Sequence, residues 1–325
     1  MYVIALLMQR VAAYSAVVIL LSGCTAPLTQ LGALGSMQNR APTTYPLHRP
    51  LPQSSSGQDL LYVSGIDAVG VYSYPKGKSL GLLGTFESPG GMCVDRSGNA
   101  FVPIYYDGQV LEFAHGDAAF AGSTPIATIA TANFPRDCSI DPTTGDLAVT
   151  FWDGVQIFSN GSTGWRGPQT YTQPDGTYFV YSCAYDNSGN LFFDADTQHS
   201  PFQLTELLAG GSGTFTTVSL NQGFKSPAGI LWDGTYLAVA DWRRRHWTQV
   251  YRFSIQGSTG TEVGSTKLVG GKGTLFWIQG STIISPGSDR GEYGVGFWKY
   301  PEGGRPKKIV SFHDGAAGVA VSPGG

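Results

Sequence analysis

The chain has 325 residues, among them 45 Gly and 19 Pro, densities that interrupt most helices and point to a mainly β protein. Charged residues make up 13% against a usual ~25%, and aromatics reach 12%, so a long disordered chain is excluded. The formal net charge of −3 provides no basic face, and no nucleic-acid partner is expected.

Residues 11–21 form an apolar run broken only by Tyr14 and Ser15. As a helix such a run spans about 16 Å, short of a bilayer core of about 30 Å, so it reads as the apolar region of a secretory signal. It ends in Leu21, Ser22, Gly23 and Cys24, a sequence that resembles the bacterial lipobox. The resemblance implies a lipoprotein signal peptide over residues 1–23, with Cys24 acylated and first in the mature chain. The plainer alternative is an ordinary signal peptide or a buried thiol. Acylation makes the membrane a partner, each buried methylene adding about 0.8 kcal/mol. With Thr25 after the Cys, the rule that Asp there retains a lipoprotein in the inner membrane does not apply. The expected location is the cell envelope, with the domain extracytoplasmic. Met8, Gln9 and Arg10 place a basic residue before the run, which makes Met8 the expected initiator. Residues 24–58 hold five Pro (27, 42, 46, 50 and 52) and Ser54, Ser55 and Ser56, with no apolar period; they read as a tether.

From residue 59 onward a motif recurs. Pro89, Gly91, Asp95, Gly98, Asn99, Phe101 and Val102 are followed by Pro135, Asp137, Asp141, Gly145, Asp146, Leu147 and Val149. The next copies carry Asp186, Gly189, Asn190 and Phe192, then Pro227, Gly229, Asp233 and Val239. Degenerate copies surround Trp277 and Ser322. The aligned positions 95, 141, 186, 233, 277 and 322 are 46, 45, 47, 44 and 45 residues apart. A fixed period of this size marks a propeller. Each unit predicts four short antiparallel strands, which is one blade. Examples are residues 109–113 and 155–158 as third strands and 126–129 as a fourth. The first unit, from residue 60, lacks its innermost strand, and residues 318–322 supply it. The fold class is therefore all-β: a six-bladed propeller over residues 59–325, its ring closed by the C-terminal strand.

These residues resemble the NHL-repeat type of six-bladed propeller, more narrowly the bacterial secreted and lipoprotein kind. The resemblance covers about residues 59–325, and the fifth and sixth units depart from its Gly-Asn turn. It does not fix function, since such propellers include lyases, lactonases and pure binding modules.

The repeated Asp95, Asp141, Asp186 and Asp233 sit at first-to-second turns, where Asp caps backbone N–H groups; they are expected to be structural rather than metal ligands. The position four before each is expected to line the axis: Gly91, Asp137, Ser182, Gly229, Gly273 and Gly318. Asp137 is the acid of that ring and the candidate at the channel mouth. Lactonase-like propellers gather Glu, Asn and Asp around calcium there; Glu87 and Asp137 contribute, but no complete set is visible, so calcium belongs only to that alternative and no cofactor is otherwise expected. Gly-x-Ser-x-Gly and His-Glu-x-x-His are absent.

The second-to-third turns are expected to hold Tyr105, Tyr106, Trp152, Asp194, Asp196, Asp241, Trp242, Arg244, Trp247 and Tyr293. Rings beside Arg are the chemistry of interface anchors, so Trp242, Arg244, Trp247, Trp152 and Tyr105 join Asp137 as ligand-binding candidates. The blander reading of the rings is cover for blade edges. Cys93 lies two residues before its Asp, and Cys138 and Cys183 three before theirs, so Cys93 points to the opposite blade face from the other two. In one of two orientations Cys93 and Cys138 meet in a shared interface and bond, leaving Cys183 free. The expectation is a lipid-anchored module binding a protein, peptide or glycan; the alternative is an enzyme, lactonase-like or lyase-like.

Overall fold

A computed structural model describes residues 57–116, 123–173, 177–197, 200, 202–210, 213–242, 247–272, 275–312 and 315–324. Cys24, the signal segment, Arg244 and the axis position Gly273 lie outside the described residues. Among those described, the secondary structure is all strand and turn.

The strands pair as successive four-stranded antiparallel blades. Blade 1 is β1 (Leu60–Ser64), β2 (Ala68–Ser73) and β3 (Ser79–Thr85), with β24 (Gly318–Ser322) hydrogen-bonded to β1 on its inner side. Blade 2 is β4 (Cys93–Val94), β5 (Ala100–Ile104), β6 (Gln109–Phe113) and β7 (Ala127–Ala130). Blade 3 is β8 (Cys138–Ile140), β9 (Leu147–Phe151), β10 (Gly154–Gly161) and β11 (Gly164–Thr172). Blade 4 is β12 (Thr177–Tyr185), β13 (Leu191–Thr197), β14 (Gln203–Leu207) and β15 (Phe215–Leu220). Blade 5 is β16 (Pro227–Trp232), β17 (Leu237–Trp242), β18 (Trp247–Gln256) and β19 (Thr259–Val269). Blade 6 is β20 (Trp277–Gln279), β21 (Thr282–Asp289), β22 (Glu292–Lys299) and β23 (Gly303–Ser311). Outer strands β15, β19 and β23 also touch in parallel, which covers part of their edges.

The core is divided into one apolar cluster per blade junction. Side chains alternate along each strand, so neighbours in sequence serve different junctions. Leu60 and Tyr62 pack toward blade 2 with Val102 and Phe113, whereas Leu61 and Val63 pack toward blade 6 with Ile284 and Phe297. Leu147 and Val149 face blade 2, and Ala148 faces blade 4. Phe192 and Leu237 join blades 4 and 5, and Ala238 and Trp298 join blades 5 and 6. Both faces of each sheet are thus covered, and this is why the strands read as continuous apolar runs rather than alternating ones. The cluster between blades 6 and 1 includes Val319 and Val321 of β24, so the last strand completes the packing of the first blade.

The repeated acids cap turns. Asp95 Oδ1 accepts from the N–H of Ser97 and Asn99 at 2.9 and 2.8 Å, and Asp186 Oδ1 does the same for Ser188 and Asn190 at 2.8 and 2.9 Å. Cys93 and Cys138 both lie in the junction between blades 2 and 3 and are joined by a disulfide with a Cα–Cα distance of 5.5 Å. Cys183 is a free thiol buried in the next junction.

Three acids expected in turns belong to strands instead. Asp194 and Asp196 lie within β13 and Asp241 within β17, and Asp194 and Asp241 are fully buried. Asp194 Oδ1 accepts from Ser182 N at 2.8 Å, where the ladder between β12 and β13 shifts register. Asp241 Oδ1 accepts from the N–H of Lys225 and Ser226 at 3.0 and 2.8 Å, tying down the link that enters blade 5. Both buried carboxylates satisfy backbone donors that the ladder leaves unpaired.

Candidate functional site

In an antiparallel four-stranded blade the second-to-third turn lies at the same end as the links between blades. The hydrogen bonds show this directly: Ser88, in the link from blade 1 to blade 2, donates to Ile66 O and accepts from Tyr105 N. This end carries most of the large solvent-exposed apolar side chains. Of the eight large exposed ones among the described residues, Ile66, Tyr106, Trp152, Trp242 and Tyr293 stand at or beside second-to-third turns. Ile66, Tyr106 and Trp152, in three successive blades, are 62%, 54% and 45% exposed. Large side chains left in water at one end need a reason other than packing.

Over blades 2 to 4 the rings form a continuous row. Tyr105 meets Tyr106 at 5.0 Å between centroids, and both contact Phe134, at 5.0 and 6.4 Å. Phe134 contacts Trp152 at 6.1 Å, Trp152 contacts Phe179 at 4.2 Å, and Phe179 contacts Tyr181 at 6.2 Å. Phe134 adopts a left-handed backbone (φ 65°) immediately before Pro135, as Ser88 (φ 58°) does before Pro89. A bulky residue rarely takes that conformation, and here it sets the ring between its neighbours.

Arg136 lies against three rings of this row. Its guanidinium carbon lies 6.0, 5.6 and 4.9 Å from the rings of Tyr105, Phe179 and Tyr181. Among the described residues the guanidinium forms no ion pair. The next residue, Asp137, enters the axis. Asp137 Oδ2 accepts from Ser182 Oγ at 2.6 Å, and Ser182 Oγ in turn accepts from Ile230 N at 3.2 Å. A Cβ on Gly91 would stand 2.1 Å from Asp137 Oδ1, and one on Gly318 would stand 3.1 Å from Gly91 Cα; glycine lets these inner positions converge. A cavity of about 130 Å³ lies here, lined by Met92, Asp137, Ser182, Ile230, Leu275 and Trp277 among others.

Ser182 couples two buried acids, giving its O–H to Asp137 and its N–H to Asp194. Burial pushes both carboxyls up to about 7, opposed by the hydrogen bonds from Ser182 and by the positive charge of Arg136. Asp194 Oδ2 is buried without a hydrogen-bond partner. The pair is therefore biased by burial toward its protonated form. It does not fit a calcium site: Glu87 is exposed while Asp137 is buried, and no group of three or more His, Cys, Asp or Glu among the described residues is placed to hold a metal.

Of the candidates read from sequence, Tyr105 and Trp152 are joined through Phe134, and Asp137 lines the axial cavity next to Arg136 in the chain. Trp242 and Trp247 stand on blade 5, and among the described residues no ring contact joins them to the row; Trp247 instead packs against Lys267, with Nζ 4.7 Å from its ring. Phe134, Arg136, Phe179 and Tyr181 are additions. Their signal was departure from the repeat: Arg136 stands where the preceding blade has Gly90, and Phe134 where it has Ser88.

No protein-family model matches the chain, and no curated protein sequence matches it. Similarity to solved structures is that of fold. The propeller in a nidogen/laminin complex aligns with TM-score 0.60 at 11% identity, over 82% of this chain and 99% of that one. A Bacteroides caccae protein of unknown function aligns with TM-score 0.56 at 12% identity, over 82% and 99%. A Bacteroides fragilis protein provisionally assigned as a 6-phosphogluconolactonase aligns with TM-score 0.54 at 13% identity, over 83% and 85%. The chain is thus a β-propeller whose fold is shared by binding proteins and enzymes.

Proposed function

We propose that this chain is a lipid-anchored extracytoplasmic propeller of NHL-like type that binds a ligand through the end bearing the second-to-third turns. The single observation that carries the reading is the row of rings from Tyr105 to Tyr181, with Trp152 and Tyr106 exposed beside a guanidinium that forms no ion pair among the described residues. Rigid blades hold these rings, so contact area is offered with little ordering cost. The lipobox-like segment ending in Cys24 and the Pro- and Ser-rich stretch after it support the anchored reading. A mass spectrum of the mature N-terminal peptide should show an acylated Cys24; an unmodified Cys24, or a peptide running through it, contradicts the anchor.

Hydrogen–deuterium exchange of the purified full chain with cell-envelope extract tests the face. Protection is expected at residues 65–67, 105–108, 152–153 and 290–292, and not at the opposite-end turns 95–99, 142–146 and 186–190. Protection confined to the opposite end, or at neither end, contradicts it.

A second reading, an enzyme of the lactonase or lyase kind, draws support from the Asp137–Ser182–Asp194 arrangement beside the axial cavity. Lactone hydrolysis abolished by Asp137→Asn supports it; no turnover across a lactone series contradicts it.

A further inference from the structure

We propose that the ligand of this end is a neutral oligosaccharide of repeating pyranose units, laid across blades 1 to 4. The inference rests on the reading of this end as a binding face and names what it binds.

The first observation is a repeat in the turns themselves. Ile66 is followed by Asp67, Tyr106 by Asp107 and Gly108, and Trp152 by Asp153 and Gly154. Three successive blades thus present an exposed large apolar side chain and then a carboxylate at the same place in the fold. A receptor surface that repeats matches a ligand that repeats. A peptide or folded partner offers a different side chain at each step, whereas a homopolymer offers the same one.

The second is the chemistry of the row. From Tyr106 through Phe134, Trp152 and Phe179 to Tyr181, successive ring centroids are 6.4, 6.1, 4.2 and 6.2 Å apart, without a break between blades. A pyranose has a flat C–H face suited to an aromatic ring and a rim of hydroxyls that need hydrogen-bond partners. The rings supply the first. Exposed Asp107 and Asp153 are acceptors, and the Arg136 guanidinium, held in orientation by three rings, is a preset fork of donors.

The third is charge, which separates neutral from acidic glycans. The row carries one guanidinium, that of Arg136, and three carboxylates, those of Asp107, Asp153 and Asp196, the last accepting from Tyr181 Oη at 3.4 Å. A uronate or phosphate polymer would face like charge at each blade, which costs affinity. Neutral sugars incur no such cost and use the same carboxylates as acceptors. Strand addition is also disfavoured as a mode, since this end offers turns and rings rather than an open strand edge.

Calorimetric titration of the purified full chain with the dimers and hexamers of glucose (β1,4 and α1,4), xylose (β1,4) and N-acetylglucosamine (β1,4) tests the inference. At least one hexamer should bind, roughly tenfold or more tighter than its dimer. Trp152→Ala and Tyr106→Ala should each weaken that hexamer by roughly tenfold without changing the melting temperature. Leu208→Ala, exposed at the opposite end, should leave binding unchanged. Equal affinity for dimer and hexamer, or undiminished binding by Trp152→Ala, overturns the proposal. So does failure of every hexamer. If every hexamer fails while envelope extract still protects the turns from exchange, the binding face stands and its ligand is not a neutral glycan; if protection is also absent, both readings fall.

Discussion

Asp137 and Asp194 set the pH behaviour of the fold. Their ordinary value of 3.8 is raised to about 7 by burial. Because the folded values lie above the unfolded ones, the folded state keeps protons that the unfolded chain has released. Stability is therefore greatest at low pH, is lost as pH rises from about 4 to about 7, and levels off above, where both states are ionised. The other resolved acid shifts, at Asp196 and Glu206, are also upward and act in the same sense. The melting temperature should accordingly fall between pH 5 and pH 8. Asp194→Asn keeps an acceptor for Ser182 N while removing the charge, so it should raise stability at pH 8 and flatten the profile; a profile that rises with pH contradicts this. Asp137 was legible in the sequence as the acid of the inner ring. Asp194 was not: it follows the apolar run of Leu191, Phe192 and Phe193, where polarity reads as the end of a strand, and only the β12–β13 register shows that its carboxylate answers an unpaired N–H.

At the scale of single elements, β24 and the disulfide hold blades together. Val319 and Val321 of β24 cover one face of blade 1 and Ala320 the other. Deleting residues 315–325 opens the edge of β1 and uncovers both clusters, so cooperative melting should give way to aggregation; a wild-type melting curve contradicts the closure. The disulfide links residues 45 apart in sequence. Closing a loop of that length stabilises by up to about 4 kcal/mol through the unfolded state, and Cys93→Ser with Cys138→Ser should lower stability by a large part of that. Alkylation in denaturant without reductant should modify Cys183 and spare Cys93 and Cys138; modification of all three contradicts the bond. Strands and turns were readable because four of the blades repeat one pattern: an apolar run buried on both faces, an Asp that caps a turn, and a Gly that allows it. The alternation of faces that separates Cys93 from Cys183 was readable for the same reason. The row residues were harder, because Phe134 in its link and Phe179 and Tyr181 at the start of β12 look like more of the apolar run that follows them, although their rings join through Trp152 in a row across blades.

For the molecule as a whole, the blades leave two ends: one bears the first-to-second and third-to-fourth turns, the other the second-to-third turns and the links between blades. One end carries capped turns of Asp, Asn and Gly, which serve the fold. The other carries the exposed side chains of Ile66, Tyr106, Trp152, Trp242 and Tyr293. On the proposed reading these side chains serve a ligand, and they are expected to contribute little to stability. The most direct measurement is a comparison on a Cys24→Ser background, which removes the lipid, of the chain with and without Tyr106→Ala and Trp152→Ala. The account predicts unfolding free energies within about 0.5 kcal/mol of each other, as for surface substitutions, together with loss of co-sedimentation with isolated cell envelopes. A loss of several kcal/mol of stability, as for buried rings, or co-sedimentation that survives both substitutions, contradicts it.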